Sequence, residues 1–217
     1  MVIRKTCLFF SRASNSARTA ARLPALPTWK SPGAMGGTAA FGFSRLTAIA
    51  TVTRLREPIR HIWAADFTEL VQHGKKVYVS TVIDLFTRRI LGIHVAVRKG
   101  AALTIQALSS ALLHHPRPGL FHSDNGREYD AMAFTEILDG CGILISRSRP
   151  GCPWENGYQE SFYDKFKVDL GDPNRFKTLG ELVAEIYRTL WDYNHTRIHS
   201  ALNMPPVVFA ELCASVA

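Results

Sequence analysis

Three carboxylates stand in this sequence where chemistry can use them. Asp66 lies inside an apolar, β-rich run, HIWAADFTEL; Asp124 closes the short run GLFHSD; Glu160 follows the loop SRPGCPWENG. A carboxylate set in an apolar strand costs several kcal/mol if it stays unpaired. A bound divalent cation would offset that cost, and so would an ion pair with a nearby arginine. Glu160 and Lys167 are seven residues apart, two helical turns, so a carboxylate and an ammonium point the same way. The plain alternative is a solvated helix face. The two readings separate on whether the fold brings the three carboxylates to one place.

The elements that must do so follow from periodicity. HIWAADFTEL, KVYVSTVIDL and RRILGIHVAV are β-rich, with connections short enough for hairpins, which predicts an antiparallel meander. AALTIQALSSALLHH places Leu103, Ala107, Ala111 and Leu112 on one stripe and stops at Pro116 and Gly119, as a helix does. GLFHSD predicts a fourth strand, AMAFTEILDGCG a helix turned inward by Phe134, Ile137 and Leu138, and ILIS a fifth strand. Pro150, Gly151, Pro153 and Asn156-Gly157 then break the chain. Tyr158, Phe162, Phe166 and Leu170 recur every fourth residue, one side of a helix, and the other side carries Asn156, Glu160 and Lys167. TLGELVAEIYRTLWDYNHTR predicts a long amphipathic helix, and PPVVFAEL a short terminal turn opened by Pro206. A meander followed by βα units is a mixed sheet with helices on its faces. If the fourth strand pairs parallel to the first, Asp66 and Asp124 become neighbours at the carboxyl ends of strands, where sites gather in open α/β sheets.

The chain has 217 residues, 47% of them hydrophobic, enough for one good-sized domain with extensions. Its net charge of +8 is uneven. Residues 1–56 hold nine Lys or Arg and no acid, so the rest carries 17 basic residues against all 18 acidic ones. Nucleic-acid binding by the core must therefore rest on local clusters. The Ser-, Ala-, Gly- and Arg-rich leader reads as a disordered basic arm, against a mis-assigned start or a transit peptide. Its apolar runs are too short to span a membrane. Cys7, Cys141, Cys152 and Cys213 form no CxxC pair, as free thiols in a reducing cytoplasm. His195 and His199 have the spacing of half a zinc finger but no cysteine pair to complete it.

Thirty-five residues separate Asp124 from Glu160. With that spacing, WAADFTEL, VIDLFTRRILG, HSDNGREY, SRPGCPWENGYQESF, Lys167 and YNHTRIHSALNMPP together closely resemble the DDE transposase/integrase superfamily, specifically insertion-sequence transposases with a retroviral-integrase-like core. The resemblance covers about residues 60–211. It implies an α/β, ribonuclease H-like mixed five-stranded sheet flanked by helices, with residues 1–56 as leader and 57–211 as catalytic core. It also implies metal-dependent cleavage and strand transfer at transposon DNA ends.

Phosphodiester transfer needs an activated oxygen nucleophile and a stabilised leaving oxygen, and two Mg²⁺ ions about 4 Å apart supply both. Such ions take oxygen ligands. The expectation is two Mg²⁺ ions, with Mn²⁺ as a substitute: Asp66 bridging them, Asp124 on one and Glu160 on the other. Water would be the nucleophile for cleavage and a 3′-hydroxyl for strand transfer, with Ser123 structural. Asp84, ending the second strand before a turn, reads as a cap or as a partner of Arg88 or Arg89. Arg147, Arg149, Trp154 and Asn156 in the loop suit phosphates and a frayed base; Lys167 is by resemblance a DNA-end contact. Asn194, Arg197 and His199 match the family's terminal motif without an evident role. The expected partners are DNA, both transposon ends and target, and further copies of the chain on it, in a bacterial cytoplasm and with no membrane. No helix-turn-helix pattern is visible in residues 1–56, so end recognition falls to a separate helix-turn-helix protein, or the chain is a truncated copy. A ribonuclease H-like nuclease and a decayed transposase acting only as a DNA-binding protein are the alternatives.

Overall fold

In the computed structural model, which describes residues 61–149 and 153–216, β1 (Ile62–Gln72), β2 (Lys75–Asp84) and β3 (Ile90–Ala96) form the antiparallel meander. The β1–β2 turn is His73-Gly74, with φ of 47° and 75°. Two successive positive φ values match the twist of a tight hairpin. Helix α1 (Ala101–His114) crosses the sheet, β4 (Leu120–Ser123) pairs parallel to β1, and β5 (Leu144–Arg147) pairs parallel to β4. The strand order is β3-β2-β1-β4-β5. Helices α2 (Arg127–Asp130) and α3 (Met132–Gly140) link β4 to β5. A 3-10 turn at Pro153–Asn156 leads into α4 (Gly157–Leu170), and a second at Pro173–Arg175 precedes α5 (Leu179–His195) and α6 (Pro206–Val216).

Alternation along the strands builds a core on each face of the sheet. Ala64, Leu70, Val77, Val79 and Ile83 pack with Phe162, Phe166, Leu170, Leu182, Ile186 and Leu190 from α4 and α5. Trp63, Ala65, Val82 and Phe121 pack on the other face with Ala107, Leu108, Phe134 and Leu138. There α1 lies so close to β3 that a Cβ on Gly92 would come within 2.2 Å of the Ala107 carbonyl oxygen. Only glycine permits that approach. On the α4/α5 face the Phe162 and Tyr193 rings meet edge to face, 5.0 Å between centroids, and truncating Phe162 to alanine would cost about 3–5 kcal/mol. Helix α5 starts at Thr178, whose hydroxyl accepts from Glu181 N at 3.2 Å, while Glu181 reaches back to Lys177 N at 2.9 Å.

The fold departs from the periodicity reading in local ways. Helix α2 and the two 3-10 turns are three or four residues long, too short to carry a period. Helix α6 has 11 residues instead of one turn. Tyr158, placed on the inward stripe of α4, is 37% exposed, and the buried face runs through Gln159, Phe162, Tyr163, Phe166 and Leu170. The expected disordered leader, residues 1–56, lies outside the described residues. No helix among the described residues is long and apolar enough to cross a membrane.

Candidate active site

Parallel pairing of β1 with β4 sets Asp66 beside Asp124. Ala65 is in register with Ser123, so the next residue of each strand leaves the shared ladder at the same end. Parity along β1 turns Asp66 toward the face of Ala64 and Leu70, which α4 covers. Its register partner on β2 is Thr81.

Buried polar groups hold α4 in register over this spot. Tyr163 donates its hydroxyl to the Asp66 carbonyl at 2.7 Å and lies 2.9 Å from Thr81 Oγ1. Fully buried Gln159 donates from Nε2 to the Ala64 carbonyl at 2.8 Å and accepts from Thr81 Oγ1 at 3.3 Å. Asn156, in the turn that opens the helix, donates from Nδ2 to Asp66 Oδ2 at 2.9 Å. These three residues stand four before, one before and three after Glu160, which itself is exposed. The contacts thereby fix Glu160 relative to Asp66. Burial drives the Tyr163 phenol well above its ordinary pKa, so it stays a donor.

Asp66 Oδ1 accepts the amide of Phe67 at 2.8 Å. Burial pushes the Asp66 carboxyl up to about 7; the Phe67 and Asn156 donors pull it down, and the charges of Asp124 and Glu160 push it up further. Asp66 therefore feels both of the other carboxylates. Among the described residues none of them forms an ion pair, so the arginine alternative for Asp66 is not realised. Asp124 Oδ1 accepts from Gly126 N at 3.0 Å. A Cβ on Gly126 would lie 3.0 Å from that oxygen and 3.1 Å from Glu128 Oε2. Glu128 is a fourth carboxylate close to the site, which no spacing rule picks out; Lys99 pairs with it at 3.4 Å.

The donor set is all oxygen, mutually repulsive and partly desolvated, which suits a hard divalent cation. Among the described residues no three His, Cys, Asp or Glu side chains are already gathered at metal-holding distance. The carboxylates converge without being closed up.

The loop residues divide by what their side chains touch. Arg147 donates to Tyr129 O at 2.6 Å, Ser123 Oγ at 3.0 Å and Asp130 Oδ1 at 3.3 Å, which ties α2 to the sheet. Asn156 is buried, and its side chain is bonded to Asp66. Arg149 pairs with Glu155 at 2.9 Å with half its side chain exposed, which leaves a guanidinium edge outward. The side chain of Trp154 lies outside the described residues. Lys167 is exposed, two turns along α4 from Glu160, with no ion pair among the described residues. Asp84 is buried and caps its turn, accepting from Phe86 N, Thr87 N and Thr87 Oγ1; the His61 imidazole lies 3.7 Å away, and neither Arg88 nor Arg89 forms an ion pair with it. Ser123 Oγ donates to the Asp124 carbonyl at 2.9 Å, a structural role.

Two sequence profiles, each described as an integrase core domain, match residues 59–153 and 141–206. The chain is 32% identical over 145 residues to the transposase of insertion sequence IS904 from Lactococcus lactis, covering 65% of this chain and 57% of the relative. It is 31% identical over 141 residues to the transposase InsF of IS3A from Escherichia coli, covering 64% of this chain and 49% of the relative. The chain thus spans about half the length of the curated relatives it matches. Among solved structures it is similar to the catalytic core of HTLV-2 integrase in complex with magnesium, with TM-score 0.57, 20% identity and coverage of 69% of this chain and 95% of that one. The core of BIV integrase gives TM-score 0.56 at 17% identity, covering 72% and 97%. These likenesses show the fold, the ribonuclease H-like sheet with helices on both faces. With integrase-core profiles spanning residues 59–206 and insertion-sequence transposases among its relatives, the chain belongs to the insertion-sequence transposases that carry an integrase core.

Proposed function

We propose that this chain cleaves DNA strands at transposon ends and joins them to target DNA in a divalent-metal-dependent reaction, with Asp66, Asp124 and Glu160 as its catalytic carboxylates. The observation that carries the reading is the electrostatic one. Asp66, half-buried and without an ion-pair partner among the described residues, is pushed toward neutrality by desolvation and further by Asp124 and Glu160. A carboxylate desolvated beside two others, with Asp124 next to it across the β1–β4 pairing, supports a site that takes positive charge.

Asp66, Asp124 and Glu160 would hold two Mg²⁺ ions, or Mn²⁺ in their place. Bound there, such ions make an oxygen nucleophile available at neutral pH and stabilise the leaving oxygen. The protein's own part is positional. Asn156 and the Phe67 amide orient the Asp66 carboxylate, the Gly126 amide orients Asp124, and Gln159 with Tyr163 fix Glu160 through the helix. Water attacks in the cleavage step and a DNA 3′-hydroxyl in the joining step; no side chain needs to form a covalent bond. Arg149 and Lys167 would contact backbone phosphates. The proposed partners are DNA, further copies of this chain bound to it, and a separate helix-turn-helix protein for end recognition. Residues 57–211 would make up the catalytic core, with residues 1–56 as a basic leader in sequence before it.

Nicking of supercoiled plasmid with and without Mg²⁺ tests the reading. The wild type nicks only with metal, while Asp66→Asn and Asp124→Asn fold and do not nick. Metal-dependent nicking that survives Asp66→Asn removes that residue from the site. Equal cleavage of an RNA–DNA hybrid without strand transfer would make the protein a ribonuclease H-like nuclease instead.

A further inference from the structure

The terminal motif singled out in the sequence, Asn194, Arg197 and His199, lies beside a flank of α4 that the active site does not use. Around the helix, Tyr158, Lys165 and Asp169 fall within about 40° of one another, roughly opposite Glu160 and Lys167. A cation stands at each of the three positions. The Arg88 guanidinium stacks on the Tyr158 ring, 4.0 Å from its centroid. Lys165 is exposed and makes no ion pair among the described residues. Arg197 pairs with Asp169. The rise per residue spreads them over roughly 16 Å, a length on which one DNA strand presents about five phosphates.

Two features of Arg88 point to a ligand. Its φ is 62°, the left-handed region where glycine or asparagine sits with less strain. An arginine kept there argues that the side chain is used. Its Nη1 is buried without a hydrogen-bond partner among the described residues, although buried guanidinium donors are normally satisfied, so a shift of the side chain on the Tyr158 ring is needed for that donor to meet a phosphate. The surroundings hold this arginine in place. Asn194 accepts from Ile90 N and donates to Ile90 O, both at 2.9 Å, and Tyr193 Oη donates to the Arg88 carbonyl at 3.1 Å. These bonds clamp the β2–β3 turn to the end of α5. His199, half-buried, is held down to about 4 by burial and then by Arg88, Lys165 and Arg197, so it adds no charge at neutral pH. With Asp169 counted, the flank carries a net charge of +2.

We infer that Arg88, Lys165 and Arg197 form a second DNA-backbone contact, on the flank of α4 away from Glu160, and that the terminal motif exists to assemble it. The inference rests on the reading of the protein as a DNA-processing enzyme and adds a surface to it. Its ligand is the phosphate backbone of duplex DNA, whether near a strand end or within an unbroken target.

Two substitutions test it in the full chain. Arg88→Gly removes the guanidinium while relieving the left-handed backbone, and Lys165→Ala removes the exposed ammonium. Binding is read by fluorescence anisotropy without divalent metal on a labelled blunt 30-bp duplex of arbitrary sequence, and by competition with a relaxed closed circle, over a salt series. Each variant should bind several-fold more weakly, with a log–log salt slope smaller by about 1, and Lys165→Arg should restore the slope. Loss on the linear duplex alone assigns the surface to a strand end; loss on the circle assigns it to unbroken duplex. A purely structural cluster would instead lower the melting temperature of Arg88→Gly and leave every slope unchanged, and that result overturns the inference. Metal-dependent nicking by the wild type is measured alongside. If it is present while the slopes do not move, only this inference fails; if the wild type neither binds nor nicks, the proposed function fails first.

Discussion

Asn156 Nδ2 lies 2.9 Å from Asp66 Oδ2, across 90 residues of sequence. The contact joins the turn that opens α4 to the strand that carries the most perturbed carboxylate of the site. An amide N–H₂ can only donate, so it favours the ionised form of Asp66 and fixes which oxygen faces the helix. The second Asp66 oxygen is taken by the Phe67 amide, so both have an assigned direction.

Replacing that amide should therefore loosen the site without unfolding the core. Asn156→Ala should raise the Mg²⁺ concentration for half-maximal nicking by about 10–100-fold, the usual effect of losing a group that orients a metal ligand. Asn156→Asp should do worse, since it sets a further negative charge against Asp66. A Mg²⁺ titration of plasmid nicking, with thermal melts alongside, checks both; an unchanged midpoint in Asn156→Ala would remove the positioning role.

The Asp66 carboxyl gives a stability signature in metal-free protein. Burial raises it from an ordinary 3.8 to about 7, so the folded state holds this proton more tightly than the unfolded chain. Its contribution to stability is complete below about pH 4 and is lost as pH rises through about 7. Asp66→Asn has no charge to desolvate. The variant should accordingly gain on the wild type between pH 5 and pH 8, by about 1–2 kcal/mol at the upper end, less than the roughly 4 kcal/mol ceiling for such a shift because the site is partly open to water. Paired melts at several pH values measure the difference; titrating groups that do not interact with Asp66 cancel, and Asp124 and Glu160 enter through their coupling to it. A difference that stays flat from pH 5 to pH 8 would contradict the assigned burial.

Tyr163 and Thr81 should behave as one unit. Tyr163→Phe strips the donor from the Asp66 carbonyl and removes one of the two partners of Thr81 Oγ1 inside the core, leaving it Gln159 Oε1. Buried groups left unsatisfied cost about 1–3 kcal/mol. The double variant with Thr81→Val should cost less than the sum of the singles, because both halves of one bond are then gone. Denaturant unfolding of the four proteins measures the coupling; additivity would show that the two hydroxyls do not interact.

Much of this architecture is legible in the sequence because strand parity and hairpin length leave few choices. The meander, the parallel return of β4 and the adjacency of Asp66 and Asp124 follow from them. What escaped has local causes. The periodicity puts Asn156 on the outer face of a helix, but a 3-10 turn occupies Pro153–Asn156 and the α-helix starts at Gly157. The 100° phase does not extend back to it. Gln159 and Tyr163 interrupt the apolar pattern of α4 with groups that reach backbone carbonyls of β1, and only the packed sheet reveals those acceptors. Arg147 looked like a free cation in a basic loop, yet it ends β5 with its guanidinium turned onto α2. Tyr158 kept the four-residue spacing and still lies at the rim, where the Arg88 guanidinium covers its ring.

Glu160 and Lys167 share a flank of α4 and should fail in different ways. Both are exposed, and only Glu160 is felt by Asp66. Glu160→Gln removes a carboxylate from the trio and adds no bulk, so duplex binding should persist or tighten as a repulsive charge leaves, while single-turnover cleavage disappears. Lys167→Ala removes a cation two turns along the helix. Its binding should weaken with a log–log salt slope smaller by about 1, and cleavage at saturating DNA should be partly retained. The decisive comparison is a salt titration of both variants on one linear duplex, followed by single-turnover cleavage with Mg²⁺. Normal cleavage by Glu160→Gln would take that carboxylate out of the site. An unchanged slope in Lys167→Ala would detach this flank of the helix from DNA and leave any backbone contact to the opposite one.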